Sequence, residues 1–139
     1  MQTSIFISPT IIHHLVHHCI SQLPYEACGF LLGTTGYFKT IFGFKEALNK
    51  SSDLNRFIIN PYDYYKLEKS LQTSNLFIIG FYHSHPLGTP HPSRFDIQDA
   101  WVGYSYVILS LEKDHSYAIK SWQINPSTGS CEEEPISTC

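Results

Sequence analysis

Four residues in one short stretch have the types and spacing to do chemistry: His83, His85, Ser93 and Asp96. Two histidines two positions apart on an extended chain point to the same side, so their ring nitrogens can converge on one ion. A carboxylate returning from a loop completes three protein ligands. Three ligands leave one tetrahedral position open, the mark of a catalytic rather than a structural zinc. An isolated His-x-His is a weak signal, and Ser93-x-x-Asp96 is equally a helix-capping pattern. The joint pattern H-x-H-x7-S-x2-D is far rarer, on the order of 10⁻³ by chance from this composition. The two readings are compatible, because a capped helix start is a rigid platform for a ligand.

These residues need elements to position them. Residues 76–84 (LFIIGFYHS) are the most apolar run and read as a central strand buried on both faces, ending at the histidines. Three prolines and one glycine between positions 86 and 92 make an irregular loop, followed by a short helix from about Ser93 to Trp101. Upstream, residues 3–8 suit a short strand, and Ser8-Pro9 begins a helix over 9–22. Ile12, Leu15, Val16, Cys19 and Ile20 form its apolar stripe, with His13, His14, His17 and His18 expected on a solvated opposite face. Residues 26–34 and 37–46 read as a hairpin, 56–59 as a strand, and 61–73 as a second helix with Tyr62, Tyr65, Leu67 and Leu71 packing. Residues 104–111 and 116–124 form another hairpin. This order implies an α+β domain with a mixed sheet over residues 1–125, and a frayed, polar C-terminal tail over 126–139.

The totals narrow the function. The chain has 139 residues, 42% hydrophobic and 15% charged, which suits a globular domain. A net charge of −3 and nine scattered Lys and Arg give no footprint for nucleic acid. No run reaches the roughly 18–20 apolar residues of a membrane span, and the first eight residues lack a signal peptide's positive charges. The four cysteines are irregularly spaced, so a reduced, cytoplasmic setting is expected. Histidine, with eight copies, is in excess.

The run from Gly80 through His83-Ser84-His85-Pro86 to Pro92-Ser93-Arg94-Phe95-Asp96 resembles the signature of the JAMM (MPN+) metallopeptidases. Pro24-Tyr25-Glu26-Ala27-Cys28-Gly29, continuing to Gly33, is similar to that family's first block, which carries a catalytic glutamate. The likeness covers the chain from the first helix to near Leu111. It implies an MPN-type fold: a curved mixed sheet flanked by two main helices, a short helix carrying Asp96, and one zinc ion at the sheet's edge. It further implies His83, His85 and Asp96 as zinc ligands, Glu26 as general base toward zinc-activated water, and Ser93 as oxyanion support. Cys28, two residues from Glu26, is expected to be a buried small hydrophobe rather than a nucleophile, and His91 an exposed loop residue. The implied substrates are peptide or isopeptide bonds at the Gly-Gly tail of a ubiquitin-like or sulfur-carrier protein, in a prokaryotic stand-alone enzyme. A RadC-like, DNA-repair-associated protein and a non-catalytic MPN scaffold are the alternatives.

Overall fold

The computed structural model describes residues 4–139. Its elements run β1 (Ile5–Ile7), α1 (Pro9–Ser21), β2 (Cys28–Thr34), β3 (Lys39–Ala47), α2 (Pro61–Leu71), β4 (Phe77–Pro86), α3 (Arg94–Asp99), β5 (Ser105–Leu111), β6 (Tyr117–Ile124), β7 (Cys131–Glu134) and β8 (Ile136–Ser137). Ser8 caps α1 as expected, and Asn60 caps α2. Ser8 Oγ accepts from Ile11 N with Pro9 in the first turn, and the Asn60 side chain accepts from Tyr62 N ahead of Pro61.

The eight strands form one mixed sheet in the order β7-β6-β5-β4-β2-β3-β1-β8. β4 pairs antiparallel with β2 and parallel with β5, so it is an interior strand, as its apolar run requires. One face of the sheet buries Leu31, Ile41, Ile79, Tyr82, Val107, Leu109 and Leu111 against Ile12, Leu15 and Cys19 of α1. Each such side chain contributes roughly 1.5–3 kcal/mol. On the other face Phe30, Phe81 and Tyr106 pack together, and Tyr64 of α2 packs against Phe30 and Phe81.

The fold corrects four local expectations. Of the α2 positions expected to pack, Leu67 is buried but Tyr62 and Tyr65 are exposed. Residues 56–59 form no strand. His18 is buried at the edge of the apolar stripe, not solvated with the other three histidines. The tail expected to fray supplies the two outermost strands: β7 pairs with β6, and after Pro135, β8 pairs with β1. Consecutive strands at opposite ends of the order curl the sheet almost into a closed barrel. Glu132 and Glu133 face solvent, whereas Glu134 turns inward and is fully buried. Its carboxylate accepts from Lys39 Nζ at 2.6 Å, Ser105 Oγ at 2.8 Å and Ser121 Oγ at 2.9 Å, tying β7 to β3, β5 and β6.

Candidate metal centre and active site

β4 delivers His83 and His85 at its C-terminal end, so the candidate centre lies at the end of an interior strand rather than at a sheet edge. Their Nε2 atoms stand 3.1 Å apart. Asp96 Oδ2 lies 3.1 Å from the first and 3.0 Å from the second. The capping box at the start of α3 fixes that carboxylate: Ser93 N donates to Asp96 Oδ2 at 2.8 Å, and Asp96 N donates to Ser93 Oγ at 3.1 Å. Ser93 thus sits beside the cluster as the helix cap, using an oxygen lone pair and not its hydroxyl hydrogen.

The hydrogen bonds around the rings test whether a cation fits. His85 Nδ1 lies 2.8 Å from the Thr89 carbonyl, which only accepts, so Nδ1 carries the hydrogen. In neutral His85 the Nε2 lone pair then faces the Asp96 carboxylate and the other ring. Three electron-rich atoms within about 3 Å require a proton or a cation among them. Their spacing approaches the edge of a tetrahedron, about 3.3 Å for an ion held at about 2.0–2.1 Å. Two imidazole nitrogens and one carboxylate oxygen, one ring oriented by a backbone carbonyl, suit zinc.

The electrostatics mark the same cluster as one that needs a positive charge, proton or cation. Burial lowers the His83 pKa, with Asp96 opposing only in part, which favours the neutral ring a metal needs. Burial alone would lower His85 too, but hydrogen bonds to Asp96 and Thr89 raise it above its ordinary value. Burial would raise Asp96; hydrogen bonds from both histidines instead hold it well below the usual carboxylate range. His83 is 1% exposed, its Nδ1 has no hydrogen-bond partner among the described residues, and Phe57 stacks on its ring at 4.4 Å.

Glu26 precedes β2 and is 4% exposed. One of its oxygens lies with ring nitrogens of His83 and His85 in a group spanning no more than 4.8 Å. Glu26, His83 and His85 are therefore a second possible donor set. Asp96 makes the closer approach to both ring nitrogens, at 3.0–3.1 Å. Burial pushes the Glu26 carboxyl up to about 7, and its Oε1 has no hydrogen-bond partner among the described residues.

Two positioning residues carried no signal in the sequence. Ser84, facing away from its histidine neighbours, is fully buried. Its Oγ accepts from Ala27 N at 2.8 Å and its N donates to Ala27 O at 3.0 Å, clamping the Glu26 segment to β4. Asn49 donates to the Glu26 carbonyl at 2.9 Å and accepts from Ile58 N at 3.0 Å, joining that segment to the loop carrying Phe57. Cys28 is buried and pairs across the strands with His83; burial pushes its thiol up to about 12, so it is no nucleophile. His91 is exposed and packs on Trp122. Beside His83 and Asp96 opens a largely apolar cavity of about 300 Å³, walled by Phe57, Tyr64, Phe81, Phe95, Trp101 and Tyr106.

Comparison with known proteins agrees with this geometry. Residues 8–125 match the family model described as prokaryotic homologs of the JAB domain. The chain is 28% identical over 103 residues to a protein named desampylase from Haloferax volcanii, covering 73% of each chain. It is 24% identical over 132 residues to the CysO-cysteine peptidase of Mycobacterium tuberculosis, covering 94% of this chain and 88% of that one. A solution structure of protein DSY2949 from Desulfitobacterium hafniense superimposes with a TM-score of 0.84 at 26% identity, covering 97% of this chain and 92% of the other. A Salinibacter ruber protein does so with a TM-score of 0.74 at 28% identity, covering 99% and 92%. The JAMM-type resemblance and the α+β fold it implied are borne out: the chain belongs to the family of prokaryotic homologs of the JAB domain.

Proposed function

We propose that the chain is a zinc-dependent peptidase or isopeptidase that hydrolyses the bond following the Gly-Gly tail of a ubiquitin-like or sulfur-carrier protein. One observation carries the reading. Three potential ligand atoms converge within 3.0–3.1 Å, and a buried carboxyl with an unpartnered oxygen stands beside them. The relatives named desampylase and CysO-cysteine peptidase support it, as does a 31% identical Thermus thermophilus protein named as a probable TtuB-protein conjugate cleaving protease, matched over 72 residues, 52% of this chain and 49% of that protein. The intact donor set argues against a non-catalytic scaffold.

His83, His85 and Asp96 would hold the ion. Bound zinc would supply Lewis acidity that polarises a scissile carbonyl and brings water toward a pKa of about 7. The protein's own groups do the rest. Glu26, with a carboxyl pKa of about 7, is poised to take a proton near neutral pH and return it to the leaving amine. The Ser93 hydroxyl hydrogen is the donor for a developing oxyanion. The Thr89 carbonyl keeps the His85 ring oriented. A Gly-Gly tail suits the approach because residues without side chains let an extended backbone pass close to the site. The four cysteines are free, which suits a reducing cytoplasm. No helix among the described residues is long and apolar enough to cross a membrane.

The test is cleavage of a carrier protein ending in Gly-Gly and fused to a reporter. Zinc-loaded wild type cleaves after the second glycine, and Glu26→Gln lowers the rate by about 10²–10⁴-fold. Wild-type rates in Glu26→Gln would remove Glu26 as the base.

A further inference from the structure

The span from His85 to Asp96 joins two of the three candidate ligands through a loop, and the course of that loop decides how both are presented. Leu87 leaves β4 in the left-handed region, with a φ of 56°, and its N donates to Leu111 O at 2.9 Å. The chain then folds back over His85. Gly88 N donates to His85 O at 3.3 Å, and a Cβ on Gly88 would stand 3.1 Å from His85 Cβ. That reversal brings the Thr89 carbonyl to His85 Nδ1 at 2.8 Å. Pro90, His91 and Pro92 follow, and the two prolines have no N–H with which to fix the loop. Trp122 of β6 fixes it instead. Its Nε1 donates to the Pro90 carbonyl at 2.9 Å, and its ring packs against His91 with centroids 5.4 Å apart. Among the described residues, no other hydrogen bond reaches residues 89–92 from outside the span. The anchor is firm because β6 is paired on both sides, Trp122 standing opposite Tyr106 of β5 and Glu133 of β7.

We infer that Trp122 is a positioning residue for the metal centre. Its indole N–H pins the Pro90 carbonyl, which holds the Thr89 carbonyl on His85 Nδ1 and so aims His85 Nε2 at the ion. The coupling is stiff. The two carbonyls belong to consecutive peptide groups joined at Pro90, whose ring locks φ near about −65°, so a single soft torsion lies between them. A carbonyl on the outer nitrogen fixes the tautomer and ring plane of a metal-ligating histidine. With Pro90 released, the Thr89 carbonyl can swing away, and the His85 ring loses the partner that orients it. The inference rests on the reading of His83, His85 and Asp96 as ligands, and it adds to that reading a residue of β6 that touches none of them.

The test compares untagged full-length wild type with Trp122→Phe, which keeps an aromatic ring and removes the N–H. A second variant carries benzothienylalanine at position 122, an isostere with sulfur in place of the N–H, so the ring volume and its packing on His91 are retained. Zinc affinity is read by competition with a chromophoric chelator. The His85 Nδ1–H is read by its solvent-exchange rate in ¹⁵N NMR of the metal-free protein. Both variants are expected to bind zinc about tenfold more weakly, the lower end of what losing an outer partner of a ligand costs. Both should also exchange the Nδ1 hydrogen severalfold faster, while the isostere variant keeps the Tm of metal-free wild type. Unchanged affinity and exchange in the isostere variant overturn the inference. So does an affinity loss without faster exchange, because Trp122 would then act other than through His85. Failure of the ligand reading would look different: wild type itself would bind no zinc, and the exchange rates would still decide whether Trp122 holds the His85 ring.

Discussion

Glu26 and Glu134 are the two glutamates buried among the described residues, 4% and 0% exposed, and their surroundings are opposite. Glu134 accepts from one ammonium and two hydroxyls, from three different strands. Glu26 is held through its backbone by Asn49 and by the clamp on Ala27, while its Oε1 has no hydrogen-bond partner among the described residues. Burying a carboxylate is costly unless it is paired and hydrogen-bonded. At Glu134 the fold meets that cost in full, and the carboxylate becomes a structural node. At Glu26 it does not, and burial pushes the carboxyl pKa up to about 7. The same residue type thus ties strands together in one place and in another is left with the raised pKa that the proposed base requires.

Variants can break or sharpen that contrast. The largest stability effect is expected at Glu134. Glu134→Ala strands Lys39, which is only 19% exposed, and should cost about 3–5 kcal/mol by urea denaturation. A loss below about 1 kcal/mol would deny Glu134 its structural role.

Glu26→Gln should do the reverse in metal-free protein. The Glu26 pKa is raised from 4.5 to about 7 on folding, so the folded state binds the proton more tightly than the unfolded chain. That contribution is fully present below pH 4.5 and is lost as pH rises through about 7. Relative to wild type, Glu26→Gln should therefore gain up to about 3 kcal/mol between pH 4.5 and pH 8. A pH-independent gap between the two proteins would mean that Glu26 is not held in a desolvated state.

Ser84→Ala is the smallest test. It leaves Ala27 N without its buried acceptor and should cost about 1–3 kcal/mol. Cleavage should fall as Glu26 loses its anchor, and Ser84→Thr should restore part of it. Equal stability with undiminished cleavage would show that the clamp does not position Glu26.

What could be read from the sequence divides along the same line. His83, His85, Ser93 and Asp96 announce themselves because they fall within one short stretch whose strand–loop–helix order is set by local patterning. Glu26 becomes visible only through its family block, since a lone acid before a strand is ordinarily a solvated one. Ser84, Asn49 and Glu134 were opaque because their partners are remote in sequence: Ala27, Glu26 and Lys39, respectively. Cys131–Glu134 reads as an acidic tail, since only one of its three glutamates finds inward partners, and those lie on three other strands. His18 reads as one of a polar set, because the Tyr82 hydroxyl that offsets its burial is 64 residues away. Residues 56–59 have strand-like composition but form no strand, and they serve to wall the cavity beside the site.

The central claim is that His83, His85 and Asp96 hold an ion while Glu26 stands outside its ligand set. Zinc content by elemental mass spectrometry, measured on untagged wild type, His85→Ala and Glu26→Gln prepared side by side, tests it most directly. The expected result is about one equivalent less zinc in His85→Ala than in wild type, and no loss in Glu26→Gln. Unchanged zinc in His85→Ala would contradict the metal centre; loss of an equivalent in Glu26→Gln would make Glu26 a ligand rather than the base.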